Sequence, residues 1–238
     1  MLNLKRLFEN LLVKMKPGQV CTAGYIDAVK TVSAAKKAGM SVGEYVEMIW
    51  DQQGQTRQVI SNLLSTVAAD KLISIVEIGP GTGRYLELLL EQVKPQHYEI
   101  YETAEDWVDY LSQQFQDILT IRQADGVSLG QTADKSCQLV HAHGVFVYLK
   151  YIQAFRYFSE MCRICAEQGY IFFDYYSEIE MNPQTLEKWM KSGDDYAVVL
   201  DRNTVNNFFD KNGFDLLAEF QNKHGHGFSR YALFGKRN

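Results

Sequence analysis

Val76-Glu77-Ile78-Gly79-Pro80-Gly81-Thr82-Gly83-Arg84 is the stretch whose reading decides the fold. It starts inside a short, nearly continuous apolar run at residues 72–78, the pattern of a strand buried on both faces. Helical periodicity resumes at residues 85–92, so the three alternate glycines occupy a strand-to-helix turn. Glycine there lets backbone N–H groups approach a ligand closely. Two familiar nucleotide-binding patterns fail against it. The dinucleotide fingerprint needs a small residue at position 84, where Arg84 stands, and a P-loop needs a G-K-[ST] that is missing.

Working outward, strands are expected at residues 72–78, 97–101, 119–123, 136–141 and 170–174. Between them lie helical patterns at 85–92, 106–115 and 151–168, the last closed by Gly169 as a C-cap. A helix at 203–212 ends at Gly213, and strands at 214–220 and 231–236 follow, separated by a ten-residue gap that suits a long hairpin. Such alternation predicts an α/β fold, a doubly wound and mostly parallel seven-stranded sheet. Residues 27–69 read as helices broken near Gly39 and Gly43, with Ser41 and Glu44 forming a capping box. The expected division is a helical extension over residues 1–70 and a ligand-binding domain over 71–238.

The resemblance to class I S-adenosylmethionine (SAM)-dependent methyltransferases rests on four places in the chain. Glu77-x-Gly79-x-Gly81-x-Gly83 resembles their first motif, in which the acid and glycines hold the amino-acid end of SAM. Glu102, closing the second strand, looks like the acid that takes the ribose hydroxyls. Ala124-Asp125-Gly126 resembles the segment that contacts adenine, with Asp125 accepting from the exocyclic amine. His141-Ala142-His143-Gly144 falls where that family lines its methyl-transfer site, which puts Ala142 beside the cofactor. The resemblance spans residues 71–237 and implies the cofactor SAM, a Rossmann-like sheet and methyl transfer. It also implies that helices before the first strand act as a lid, from which Tyr45, Trp50 and Gln53 can face the site.

Methyl transfer from a sulfonium is an in-line displacement, so alignment does most of the work and a base is needed only where the nucleophile carries a proton. His141 and His143 at the end of the fourth strand are the expected bases, for a hydroxyl on a small glycan- or secondary-metabolite-type acceptor. His224 and His226 belong to a loop expected on the same edge. No local spacing of His, Cys, Asp or Glu supports a metal ion. Other readings are methylation of a macromolecule, or a regulatory subunit that binds SAM without turnover.

Charge and length bound the partners. Residues 1–37 hold seven basic side chains against Glu9 and Asp27, a balance of +5 on a chain whose total is −5, which leaves −10 for the remainder. The basic stretch suits an anionic small-molecule substrate, while the acidic remainder argues against nucleic acid. Leu4, Phe8, Leu11 and Leu12 fit an amphipathic helix rather than a signal peptide, because Glu9 interrupts the apolar run. With no run long enough to span a bilayer, integral membrane association is not expected and the cytoplasm is the expected location; a homodimer is compatible with the sequence. Four cysteines, including Cys162 and Cys165 at C-x-x-C spacing in a helical pattern, read as packing residues rather than a disulfide or zinc framework.

Overall fold

A computed structural model describes residues 25–237. The basic, amphipathic stretch around Leu4–Leu12 and Cys21 lies outside the described residues. Three helices come first: α1 (Ala28–Ala38), α2 (Val42–Ile49) and α3 (Gln55–Thr66). Asp27 caps α1 by accepting from the Lys30 amide, and Gly39 ends it in a left-handed conformation (φ 67°). Ser41 and Glu44 form the expected capping box on α2. Of the two glycines, Gly39 marks a break while Gly43 lies inside α2, and a second break falls between Ile49 and Gln55.

The alternating part follows as β1 (Ser74–Ile78), α4 (Arg84–Gln92), β2 (His97–Glu102), α5 (Glu105–Gln114), β3 (Leu119–Gln123), β4 (Cys137–Ala142), α6 (Tyr151–Ile164) and β5 (Cys165–Ser177). It closes with α7 (Pro183–Ser192), the short β6 (Val199–Leu200), α8 (Arg202–Lys211), β7 (Phe214–His224) and β8 (Gly227–Lys236). The sheet order is β3-β2-β1-β4-β5-β8-β7, with β6 alongside β5. Strands β1 to β5 run parallel, and β8 is antiparallel to both β5 and β7. Strand β7 therefore points the same way as β1–β5, and its end at His224 reaches the carboxyl edge of the sheet. Ligands in open parallel sheets bind at that edge.

Both faces are covered, which is why the central strands are mostly apolar. On one face Val76, Ile78, Val140, Ile171 and Phe173 pack under α6 and α8 through Phe158, Met161, Val205 and Phe209. On the other, Ile75, Ile100, Leu139, Phe172 and Leu233 pack under α3 and α4 through Val59, Leu63, Leu86 and Leu89.

Three expectations need correction. Helix α6 ends at Ile164 rather than 168, because Cys165 already pairs with Cys137 in the sheet. Gly169 is not a helix cap: it lies within β5, after Gln168 at φ 58°. A Cβ on Gly169 would sit 2.8 Å from the Ala166 carbonyl and from Cys165 Sγ, so close backbone approach demands glycine there. The last two strands do not leave a ten-residue gap. Their ladder continues through Asn222↔Ser229 and Lys223↔Phe228 to His224↔Gly227, leaving only Gly225 and His226 as the turn. Polar residues pair through their backbones as well as apolar ones do, so composition hid the extension. Helix α7 and strand β6 were not anticipated, although Asn182 before Pro183 is an N-cap followed by proline at the first helical position.

Candidate active site

The glycine turn leaves β1 with φ values of 62°, 50° and 75° at Gly79, Gly81 and Gly83. Its shape is locked from both sides. The Gly79 amide donates to the Tyr101 carbonyl of β2 (2.8 Å), and the Gly83 amide to the Pro80 carbonyl (2.9 Å). A Cβ on Gly79 would meet Val145 Cγ2 at 2.8 Å, and one on Gly83 would meet Leu111 Cδ2 at 2.5 Å. At Gly81 a Cβ would meet nothing within 4 Å. Of the three glycines in the turn, Gly81 is the one that faces open space.

Glu102, at the end of β2, is tied to this opening. One carboxylate oxygen accepts from the Gly81 amide (2.9 Å) and the other from the Thr103 and Ala104 amides (2.7 and 2.9 Å). Farther along the edge, Asp125 accepts from the Val127 and Ser128 amides and from the Ser128 hydroxyl. Burial raises the pKa of Asp125, but these bonds outweigh it and hold the carboxyl below its ordinary range. A cavity of about 340 Å³ opens between Tyr101, Ala124, Asp125, Ser128, Gly130 and Gln131. The Tyr101 hydroxyl pairs with Thr132 (2.8 Å), which fixes the ring as one wall of this space.

Beneath the edge lies a buried polar row. The Tyr98 hydroxyl donates to Glu77 (2.7 Å) and lies 2.9 Å from His141 Nε2; His141 Nδ1 is 3.0 Å from His143 Nε2. Burial raises Glu77 to about 8, with the Tyr98 hydrogen bond pulling the other way, and burial lowers His141 to about 3. At neutral pH both are uncharged, so their 4.0 Å approach is a contact of neutral groups rather than an ion pair. The sequence placed His141 at the strand's exposed end. In the structure β4 continues to Ala142, and His141 is fully buried with both ring nitrogens engaged. Ala142 is also fully buried in the core, so only its backbone can face a ligand.

The acid has a consequence for stability. Glu77 keeps its proton up to about pH 8 when folded, while the unfolded carboxyl loses its proton near 4.5. Stability therefore falls as pH rises through that window and changes no further above it. Glu77→Gln keeps an acceptor for Tyr98 and removes the titration. Thermal melts at pH 5 and pH 8.5 should show near-equal stability at the lower pH and a more stable variant at the higher. Parallel pH profiles would contradict this account of the buried row.

His143 stacks on Tyr85 (3.7 Å between centroids, 16° between planes). Burial, then His141, then Arg84 hold it well below its ordinary pKa, so it is a neutral imidazole. Its Nδ1 is enclosed and has no hydrogen-bond partner among the described residues. Next to it the Gly144 amide donates to buried Asp174 (2.6 Å). His224, from the end of β7, pairs through Nδ1 with the Tyr176 hydroxyl (2.6 Å), and its Nε2 lies 3.6 Å from where a Gly144 Cβ would be. His226 turns away, pairing with Asp194 on the loop after α7 (2.6 Å).

The helices before β1 bridge to the hairpin across this edge. Buried Glu47 accepts from the Gly54 and Thr56 amides (both 2.7 Å) and so shapes the α2–α3 loop. Gln52 and Gln55 then donate to the Lys223 carbonyl (3.1 and 2.8 Å), and Asp51 pairs with the Lys223 ammonium. Of the residues expected to face the site from here, Trp50 lies beneath the Arg84 guanidinium (5.3 Å). Tyr45 is half-buried, while Gln53 is exposed and its neighbour Gln52 is the buried one. Sequence reasoning places Asp174, Tyr176 and His224 at this edge but does not show the Tyr176–His224 and Gly144–Asp174 pairings or the stacking of Arg84. The one available signal was Arg84 following the third glycine.

Taken together, a parallel sheet ending in an antiparallel strand, an open glycine at its carboxyl edge and an acid closing β2 define a class I SAM-dependent methyltransferase. The model of a family described as a methyltransferase domain matches residues 50–219, and the chain belongs to that family. No curated protein matches the sequence. Solved structures share the fold at low identity. Magnesium protoporphyrin IX methyltransferase from Synechocystis PCC 6803, with S-adenosylhomocysteine bound, is 14% identical, with a TM-score of 0.61 over 81% of this chain and 86% of that one. The N-methyltransferase NodS from Bradyrhizobium japonicum WM9, also with S-adenosylhomocysteine, is 15% identical, with a TM-score of 0.59 over 79% and 88%. A putative sarcosine dimethylglycine methyltransferase from Galdieria sulphuraria is 12% identical, with a TM-score of 0.61 over 82% and 88%. Among the described residues no helix is long and apolar enough to cross a membrane.

Proposed function

We propose that this enzyme transfers the methyl group of SAM to a hydroxyl of a small molecule. The observation that carries the cofactor part is the Gly81 amide, held by Glu102 at a position where nothing fills the space a side chain would occupy. The amino-acid end of the cofactor would lie along Gly79, Gly81 and Gly83, with Glu77 supporting the turn from beneath. Its ribose would reach Glu102, and its adenine the cavity at Ala124 and Asp125. The backbone of Ala142 would border the sulfonium.

SAM supplies a methyl group already activated by positive sulfur. The protein's part is to align the acceptor, which can be worth roughly 7–11 kcal/mol. A hydroxyl must also lose its proton. Both ring nitrogens of His141 have partners, which supports His143 as the base, with His141 behind it. A neutral imidazole can take a proton, and a base of this kind adds about 10²–10⁴-fold. The structural relatives named for magnesium protoporphyrin IX and for sarcosine and dimethylglycine support a small-molecule acceptor. Residues 1–70 would serve as the lid, and the basic stretch within residues 1–37 would favour an anionic acceptor.

Calorimetric titration with SAM and with S-adenosylhomocysteine tests the reading. Both should bind, and Glu102→Ala should weaken both about 10-fold or more through lost charge-assisted hydrogen bonds. A folded protein that binds neither ligand overturns it. Screening methyl transfer against hydroxyl, amine and carboxylate acceptors then identifies the nucleophile, and turnover confined to amines would displace the hydroxyl.

A further inference from the structure

Four side chains form one unbroken row of hydrogen bonds beneath the carboxyl edge, running from β1 through β2 to β4 and the loop after it. Glu77 Oε2 lies 2.7 Å from the Tyr98 hydroxyl, that hydroxyl 2.9 Å from His141 Nε2, and His141 Nδ1 3.0 Å from His143 Nε2. Glu77, Tyr98 and His141 are at most 1% exposed, so bulk solvent offers them no other partner. Burial keeps both imidazoles neutral, and each ring therefore carries one proton. Only two arrangements of the protons keep all three bonds. In the first, His143 donates from Nε2 to His141 Nδ1, His141 donates from Nε2 to the Tyr98 oxygen, and Tyr98 donates to Glu77. In the second every bond is reversed: protonated Glu77 donates to Tyr98, and the proton of His143 ends on Nδ1. The two ends of the row choose between them. A Glu77 carboxylate can only accept, so the first arrangement fits either charge state of Glu77 and the second fits one. At the other end His143 Nδ1 is enclosed and has no hydrogen-bond partner among the described residues. The second arrangement would strand a buried N–H there, a rarer kind of orphan than an unpaired acceptor.

We propose that Tyr98 and His141 are positioning residues that fix the tautomer of His143, with its proton on Nε2 and its lone pair on Nδ1. In an imidazole the hydrogen bond made by one nitrogen sets the state of the other. Here that control starts at a hydroxyl on β2 that does not bond His143 itself and passes through the ring of His141. The catalytic meaning rests on the reading of His143 as the base, since a neutral imidazole takes a proton only at the nitrogen that lacks one.

Nitrogen NMR of the ligand-free, isotope-labelled protein tests this directly, because imidazole nitrogens with and without a proton resonate far apart. The signals of His141 and His143 are assigned by their loss in His141→Phe and His143→Gln. In wild type at pH 7 both rings should carry the proton on Nε2 and none on Nδ1. The pattern should persist at pH 9, where Glu77 has ionised and can only accept. Tyr98→Phe removes the oxygen that accepts from His141 Nε2, and the tautomer ratio of His143 should shift towards Nδ1–H by roughly ten-fold or more. His141→Phe breaks the row one link nearer and should likewise turn the single tautomer of His143 into a mixture. Thermal melts show which variants are folded. A proton on His143 Nδ1 in wild type overturns the proposal, and so does an unchanged His143 in either folded variant. Failure of the underlying reading looks different: His143→Gln would keep full methyl transfer to the acceptor found by screening, while the wild-type tautomers stay as stated.

Discussion

Gly81→Arg should leave a folded protein that no longer binds SAM, whereas Gly83→Val should fail to fold well in the first place. The two glycines lie in one turn and both have positive φ, 50° at Gly81 and 75° at Gly83. Backbone strain of about 1–3 kcal/mol therefore applies to either substitution. They differ in what surrounds them. A side chain at Gly81 enters open space, while one at Gly83 meets Leu111 Cδ2 at 2.5 Å on the buried face of α5. Overpacking there adds about 1–3 kcal/mol to the strain. In Gly81→Arg the new side chain fills the region where the cofactor is proposed to lie, and affinity should drop by at least about 100-fold, or ~2.7 kcal/mol. Circular dichroism melts and calorimetry of the two variants separate fold from binding. Normal cofactor affinity in a folded Gly81→Arg would show that the ligand lies elsewhere.

The second large effect is on stability and arises away from the cofactor. Glu180, 4% exposed just after β5, accepts from Arg230 of β8 (2.6 Å), from Gln221 of β7 (2.8 Å) and from the Ser177 hydroxyl. Arg230 also approaches Glu219 (3.4 Å), which Arg202 of α8 holds from its other side. The cluster thus fastens β5, α8 and the terminal hairpin together. Arg230→Met keeps the bulk and removes the charge, leaving Glu180 buried with neutral donors only. Breaking a buried pair in this way costs about 3–5 kcal/mol. For a chain of this size the melting temperature should fall by roughly 6–20 °C.

The pH dependence of that loss has a definite sign. Burial pushes Glu180 up, but Arg230, Ser177 and Gln221 outweigh it and hold the carboxyl below its ordinary value of 4.5. A depressed carboxyl contributes stability above its unfolded pKa and loses it as pH falls through the folded one. The gap between wild type and Arg230→Met should accordingly be widest at neutral pH and narrow as pH falls below the ordinary 4.5 and Glu180 takes up a proton in both. A gap independent of pH would mean that Arg230 acts through packing alone.

Much of the frame was legible in the residues. The third strand is expected at residues 119–123, where β3 lies, and β1, β2 and β4 lie within a residue or two of their expected bounds, whereas β5 is longer than expected and β6 was not anticipated. Strands buried on both faces are apolar without interruption, so local pattern is enough to find them. Elements held by distant partners were harder. Cys165–Gln168 continue a helical pattern, yet the backbone at Cys165 is taken by β4, which outbids local propensity. The polar ends of β7 and β8 carry no apolar alternation, and only pairing with each other makes them strands.

In the site the division is the same. Glycine spacing, Glu102 at a strand end and Asp125 before a turn are local patterns, and each lies on the carboxyl edge. The histidines are the instructive case. His141 and His143 are two residues apart and were equivalent as sequence, yet one is sealed beneath the sheet and the other stacks on Tyr85 at its rim. His224 joins them from more than eighty residues away only because β8 lies between β5 and β7. By itself, then, the sequence determined where β1 to β4 lie along the chain, the glycine turn and the class of ligand edge, since these depend on neighbours along the chain. Tertiary structure decided which imidazole is neutral and enclosed, where the end of β7 meets β4, and that the Arg84 guanidinium is trapped between Trp50 and Tyr85. Burial and pairing between distant segments set protonation and orientation, and neither is written in local spacing.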